Sequence, residues 1–263
     1  MRVLKESGSY LQEKAKLNRN ISISLFLIGL GGLIYSFVSF NFGFIYLFVI
    51  ALVIGGSFFK NYTNYQGGLE AEDLVVQHLQ NLNDDYFLIN DVKLPDSRGN
   101  IDHVILGPNG IFVIETKNYS GQLICNGDEW IRRYKGGMKG RPYWQEDRDY
   151  DLGSPSKQVK RGAVKIKQII ESSKIFKKPL NIWVEGIVVF TNSNVDLHLS
   201  NTTVPILQIN ELNGYIKSKK SGIKFSSQEL ESIGKAILEA AEADCVEQAL
   251  YAIRLRLPEK QYL

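Results

Sequence analysis

Apolar residues along this chain fall into three regimes. Between residues 20 and 59 they are nearly continuous, with no Asp, Glu, Lys or Arg. Short Val/Ile/Phe-rich runs at 86–92, 101–106, 111–117, 122–126, 129–134, 182–190 and 204–209 are bounded by turn residues and predict strands. Residues 67–81, 155–174, 211–217 and 226–257 instead repeat apolar positions at helical spacing, as with Val159, Ala163, Ile166, Ile169 and Ile170. Ser154-Pro155 opens the second of these helices with a capping hydroxyl and a proline at its first position. Ser226 and Glu229 form a capping box for the last. Residues 135–153 are glycine-rich, aromatic and charged, and predict an irregular loop.

The uncharged window holds two runs, 21–40 and 42–59, broken around Asn41 and Gly43. Each is close to the roughly 20 apolar residues that a membrane-spanning helix needs. Gly29, Gly31 and Gly32 in the first run and Gly55 and Gly56 in the second allow close helix approach, within the hairpin or in a homo-oligomer. A cleaved signal peptide fits poorly, because a second apolar run follows and no small-x-small site intervenes. A buried soluble hairpin would show a polar face, and none is present. Arg2, Lys5, Lys14, Lys16 and Arg19 precede the first run and Lys60 follows the second, while the turn carries no charge. The positive-inside rule therefore predicts an integral protein of the cell membrane, anchored in the bilayer through 21–59, with both termini and the following domain cytoplasmic. The expected division is a basic N-terminus at 1–20, two spans at 21–59, a catalytic-type domain at 63–210 and a C-terminal helical extension at 211–263.

Charge sharpens the picture further along. Residues 130–178 carry 14 Lys/Arg against 5 Asp/Glu, whereas residues 63–263 as a whole carry 25 basic and 26 acidic residues. Basicity is thus concentrated in one stretch, as a nucleic-acid footprint would be, although a solvated helix face has the same composition. The only two cysteines, Cys125 and Cys245, form no CxxC, and the three histidines are scattered. Neither a disulfide framework nor a zinc site is indicated.

The stretch built for chemistry is 99–117, GNIDHVILGPNGIFVIETK. Its Gly107-Pro108-Asn109-Gly110 turn between apolar runs signals a hairpin. Alternation puts Glu115 and Lys117 on one strand face, and Asp102 joins them if the register brings its face round. Two carboxylates and an ammonium at a hairpin end can hold a divalent metal and polarise a water. The competing reading is a Glu-x-Lys ion pair on a solvated strand edge.

The order helix, three strands, helix, strand resembles the restriction-endonuclease-like PD-(D/E)xK core. More narrowly, about 65–180 resembles the NERD (nuclease-related) domain. The matching pieces are Gly68-Leu69-Glu70-Ala71-Glu72-Asp73-Leu74-Val75, Asn100-Ile101-Asp102-His103-Val104, the run from Gly107 through Glu115-Thr116-Lys117 to Gly121, and Pro155-Ser156-Lys157-Gln158. The implied fold is α/β, an αβββαβ core with a mixed sheet, preceded by the transmembrane hairpin and followed by the helical segment. The resemblance implies that Asp102 and Glu115 bind Mg²⁺ or Mn²⁺, hard cations that prefer carboxylate oxygens. It makes Lys117 a catalytic ammonium and Glu72 the helix acid, with Glu70 as the alternative because Ala71 stands where the family has glycine. Gln158 would position Lys117 or the phosphate, and Lys157, Lys160, Arg161, Lys139 and Arg141 would contact the nucleic-acid backbone.

The function expected from residues and resemblance together is a membrane-anchored, metal-dependent nuclease acting on nucleic acid, with DNA favoured. Two alternatives stand beside it. One is a non-catalytic nucleic-acid-binding or adaptor module that keeps the core. The other is an interaction domain in which the same residues are a structural ion-pair cluster.

Overall fold

A computed structural model describes residues 1–6, 9–95, 97, 99–134, 148–173, 175–176, 181–220 and 222–256, with the side chains of 9 and 244–256 left aside. Its elements in chain order are β1 (Arg2–Lys5), α1 (Ser9–Val38), α2 (Ile45–Leu79), β2 (Phe87–Val92), β3 (Ile101–Gly107), β4 (Gly110–Lys117), β5 (Gly121–Asn126), β6 (Glu129–Tyr134) and β7 (Arg148–Asp151). They continue with α3 (Pro155–Ser172), β8 (Val184–Phe190), β9 (Val195–Ser200), β10 (Ile206–Gln208), α4 (Leu212–Ser218) and α5 (Ser227–Arg256). The chain divides into two units, Gly8–Asp73 and the combination of Met1–Ser7 with Leu74–Leu263.

In the first unit, α1 and the N-terminal part of α2 form a helical hairpin. Its helices, Tyr10–Val38 and Ile45–Leu79, are long and apolar enough to cross a membrane. Leu27, Ile34, Phe37, Val38 and Val53 all turn outward, an arrangement that water penalises and lipid does not. The small residues do what their placement predicts. A Cβ on Gly32 would stand 2.1 Å from the Phe48 ring, and one on Gly29 2.5 Å from Leu52. Ser22 Oγ donates to the Gly55 carbonyl at 3.0 Å across the same seam. Both helices extend past the apolar runs. The link from 60 to 66 contains no proline, so α2 continues without a break through Gly67 and Gly68 to Leu79, where sequence reading expects a second helix.

The other unit is built on a six-stranded mixed sheet of order β1-β2-β3-β4-β8-β10. The β3–β4 hairpin closes on the pair Gly107 and Gly110, leaving Pro108 and Asn109 as its turn residues. Tyr86 donates its hydroxyl to Asn109 Oδ1 at 2.9 Å and Asn109 Nδ2 donates to the Ile216 carbonyl at 2.6 Å, which pins the turn. From β4 the chain builds β5–β7, enters α3, and returns as β8 parallel to β4. The core order α2-β2-β3-β4-α3-β8 is the expected αβββαβ, with β5–β7 inserted before its last helix.

Alternation assigns the two faces of this sheet. Val104, Leu106, Ile111 and Val113 point to the side covered by α3 and α5, through Val159, Ile166, Leu230, Ile233 and Ile237. Leu88, Ile105, Phe112 and Ile114 point to the other side, against Val75 and Leu79 of α2 and Leu212 and Ile216 of α4. The segment expected as a C-terminal extension therefore completes both cores. Helix α3 packs closely at Gly162, where a Cβ would lie 3.2 Å from side-chain carbons of both Ile101 and Val113.

Three strands fall outside the sequence expectation. Strand β1 pairs parallel with β2, far from it in sequence. Strands β7 and β9 complete a second sheet, β7-β6-β5-β9, and occupy segments expected as loops. The expected loop residues 135–147, with Lys139 and Arg141, lie outside the described residues.

Gly162 supplies a direct check on how tightly α3 is held. Gly162→Val is expected to cost about 1–3 kcal/mol by overpacking against Ile101 and Val113. The reading is a lowered unfolding midpoint of the detergent-solubilised protein.

Candidate active site

The site begins with strand pairing. His103 lies opposite Ile114 and Val104 opposite Val113, so one step toward the open end of the hairpin sets Asp102 opposite Glu115. Both project to the α3 side, and Lys117, two residues beyond Glu115, shares that face. This is the register on which the grouping of the three depends. Glu115 is buried, Asp102 is half-buried, and Lys117 forms an ion pair with Glu115 Oε1. The Thr116 backbone N–H donates to Asp102 Oδ2 at 2.7 Å, which fixes that carboxylate against β4.

Burial dominates the electrostatics. It pushes Glu115 up to about 8, with the neighbouring Asp102 charge adding to the rise and Lys117 opposing it. Asp102 is pushed up to about 6, again chiefly by burial, with Lys117 and the Thr116 N–H pulling the other way and Asp91 adding to the rise. For Lys117 burial is the largest single influence and works against the charge. Glu115 and Asp102 together outweigh it, and the ammonium is held above its ordinary range. The result is two carboxyl groups short of positive charge beside one retained cation.

The open side of this group is a cavity of about 550 Å³ lined by Glu115, Asn100, Gln158, Arg161 and Lys165. Gln158 and Arg161 come from the first turns of α3, whose Ser154 cap accepts from the Lys157 N–H at 3.1 Å. Gly162 and Val159 bring this end of the helix down on the strands, so the tight packing at Gly162 also sets the height of the cavity wall. Among the expected nucleic-acid contacts, Arg161 lines the cavity and Lys157 a neighbouring one. Lys160 is turned to Asp128 Oδ2 at 2.5 Å and Thr203 Oγ1 at 3.1 Å, so its charge is matched within the protein. Glu72 is half-buried on α2 in the helical unit.

Sequence reading misses Asp91. This residue has left-handed backbone (φ 51°), a conformation that Asp tolerates better than most side chains. It falls on β2 between Asn90 and Val92, opposite Asp102, and its Oδ1 accepts from Asn100 Nδ2 at 2.5 Å. No glycine announces the turn, so nothing in the sequence marks it. His103 points to the opposite face, where its Nδ1 bonds Asn90 Oδ1 at 2.8 Å. Burial depresses His103 to about 3 and keeps it neutral. It is a core residue of β3 and stands apart from the acids.

Carboxylates at the ends of the second and third core strands, a lysine two residues on and a polar helix end above them make up the restriction-endonuclease-like arrangement. Residues 67–191 match the family model of NERD, the nuclease-related domain. No curated protein and no solved structure matches the chain.

The raised carboxyls have a consequence for stability. On unfolding, both groups return to ordinary values near 4, so between there and about pH 8 the folded protein holds protons that the unfolded chain has released. Stability contributed by the pair is full below that window and is lost as pH rises through it. In chelator, the unfolding midpoint should fall across this window, and Glu115→Gln should flatten the slope.

Proposed function

We propose that the chain is a membrane-anchored, divalent-metal-dependent phosphodiesterase acting on nucleic acid, with DNA the favoured substrate. The observation that carries this reading is the pair of mutually repelling carboxyls of half-buried Asp102 and buried Glu115, the latter lining a cavity walled by Gln158, Arg161 and Lys165. A protein that only binds phosphate has no use for acids there, because they repel the ligand.

The donor set suits a hard cation. Asp102 and Glu115 offer carboxylate oxygens from opposed strand positions, and their raised affinity for protons is what a divalent charge would relieve. Bound between them, Mg²⁺ or Mn²⁺ would supply Lewis-acid stabilisation of the phosphate and an activated water. Lys117 stays an ammonium beside that position and offsets negative charge as it builds on the phosphoryl oxygens. Gln158 donates to a phosphate oxygen or orients Lys117, and Arg161 and Lys165 balance the charge of the strand entering the cavity. Glu72 belongs to the proposal as the helix acid, with Glu70 as its control.

Membrane anchoring belongs to the same reading. Strand β1 precedes the apolar hairpin and the remaining sheet follows it, yet all of these strands pair in one sheet. Both flanks of the hairpin must therefore lie on the same side of a bilayer that it enters. The basic residues around the hairpin favour the cytoplasmic side.

One observation favours the adaptor reading. Among the described residues no three His, Cys, Asp or Glu side chains gather as a ready cation cage. Lys117 and Glu115 already satisfy each other as an ion pair.

Full-length protein in detergent micelles, incubated with single- and double-stranded DNA and with RNA, decides between them. Hydrolysis should require Mg²⁺ or Mn²⁺ and stop in chelator. Asp102→Ala and Lys117→Ala should each lower the rate by roughly 100-fold or more, the scale on which loss of one charge-stabilising group acts. Glu72→Ala should weaken it where Glu70→Ala does not. Folded protein that binds nucleic acid but cuts none of it under either metal establishes the adaptor.

A further inference from the structure

A second cavity, of about 750 Å³, adjoins the first, with Arg161 lining both. Its residues from β5 and β6 are Ile124, Asn126, Glu129 and Ile131, on the face turned away from the Leu123 and Cys125 core, together with Trp130 from the opposite face. A sheet face with its core on the other side is expected to be polar, and most of this one is. Gln122 and Asn126 on β5, Glu129 and Arg133 on β6, and Asp196 and His198 on β9 all lie on it by alternation and register. The exception is central. Ile124 and Ile131 face each other across β5 and β6, both half-buried, and form an aliphatic pair among these polar positions.

The rim is chemically distinct from the first cavity. Glu129 and Asp151 border it, with Asn126 between the sheet and the opening, while Lys157 and Arg161 form the side toward the catalytic carboxylates. Acids at the rim disfavour a phosphate inside. The basic side accommodates a phosphate at the threshold. A ligand that satisfies both is flat and apolar on its faces, carries amino or imino donors on its edge, and is attached to a phosphate. A nucleobase has these properties, and apolar side chains are established stacking partners for an unstacked base.

We propose that this cavity takes an unpaired nucleobase next to the phosphate held at Arg161, making single-stranded nucleic acid, or a strand with an unpaired stretch, the substrate class. This rests on the nuclease reading and adds the substrate's form to it. A base within a duplex has its faces stacked and its pairing edge occupied, so it reaches Ile124 and Ile131 only after leaving the helix. The carboxylates of Glu129 and Asp151 accept from exocyclic amino or ring imino groups, and the Asn126 amide can donate beside them while its Oδ1 accepts from Asn201 Nδ2. Discrimination therefore lies on the second sheet, and hydrolysis on the first.

The test measures equilibrium binding of a short labelled oligonucleotide, single-stranded and as its blunt duplex, to the full chain in detergent micelles. Bis(p-nitrophenyl) phosphate, a diester without a base, is assayed in parallel with the wild-type protein. The single strand should bind more tightly than the duplex. That preference should fall about tenfold in Ile124→Ala/Ile131→Ala, the loss of one modest stacking contact. Asn126→Ala, an exposed position outside the aliphatic pair whose Oδ1 accepts from Asn201 Nδ2 at 3.0 Å, should reduce it in the same direction. Equal affinity for both forms, or a preference kept by both variants, overturns the base cavity even where the base-free diester is hydrolysed. Absence of all hydrolysis by wild type overturns the nuclease reading instead, and the binding preference then still decides the cavity.

Discussion

The placing of two carboxyl groups side by side in a poorly hydrated position is the constraint on which this structure turns. Such groups cannot both be charged without compensation, and the compensation here comes from the half-buried Lys117, from Arg161 and from one backbone N–H, which burial outweighs. The hairpin register that sets Asp102 opposite Glu115 works against the stability of the fold as pH rises. Everything around the pair holds that register. The pinned turn at Asn109 fixes one end, β2 and β8 clamp the two sides, and α3 seats itself on the strands at Gly162. The order spent on holding an electrostatically unfavourable pair is what sets this position apart from the rest of the sheet, where, among the described residues, the strand ends carry no such facing acids.

How far this was legible from sequence depended on whether the signal was local. The hairpin, its Asn-Gly turn and the apolar β8 follow from alternation within a few residues, and the helix at 155 follows from Ser154 and Pro155. So do Glu115 and Lys117, which are two apart on one strand. Placing Asp102 with them needed the register, which only pairing supplies. Strand β9 was hidden because Val195, Leu197 and Leu199 alternate with Asp196, His198 and Ser200 in a segment that reads as polar. Asp91 was hidden more deeply, since a left-handed Asp carries no distinctive neighbour. Lys160 illustrates the opposite failure. On the helix pattern it equals Arg161, yet Asp128 from the β5–β6 turn captures it, and no local rule anticipates that partner.

The two sheets divide the work along one helix. Helix α3 gives Gln158 and Arg161 to the cavity above the first sheet and Lys157 and Arg161 to the one above the second. Its cap is tied to the second sheet, where Ser154 Oγ donates to the Asp128 carbonyl at 2.6 Å and Ser156 Oγ accepts from Trp130 Nε1 at 2.9 Å. The insertion between β4 and α3 thus sets the orientation of the helix that walls the cavity beside Glu115. Changes in β5–β7 can alter the shape of the binding surface while Asp102 and Glu115 stay where they are.

Strand β1 has a further consequence, for assembly. Its partner β2 is synthesised only after the whole helical hairpin, so the first residues must wait through the making of about 80 others before their edge exists. Until then, Val3 and Leu4 have no sheet to join. Closing this parallel pair is therefore a late, long-range step in folding. A chain that has not yet closed it presents an open β2 edge, the feature by which incompletely assembled sheets aggregate.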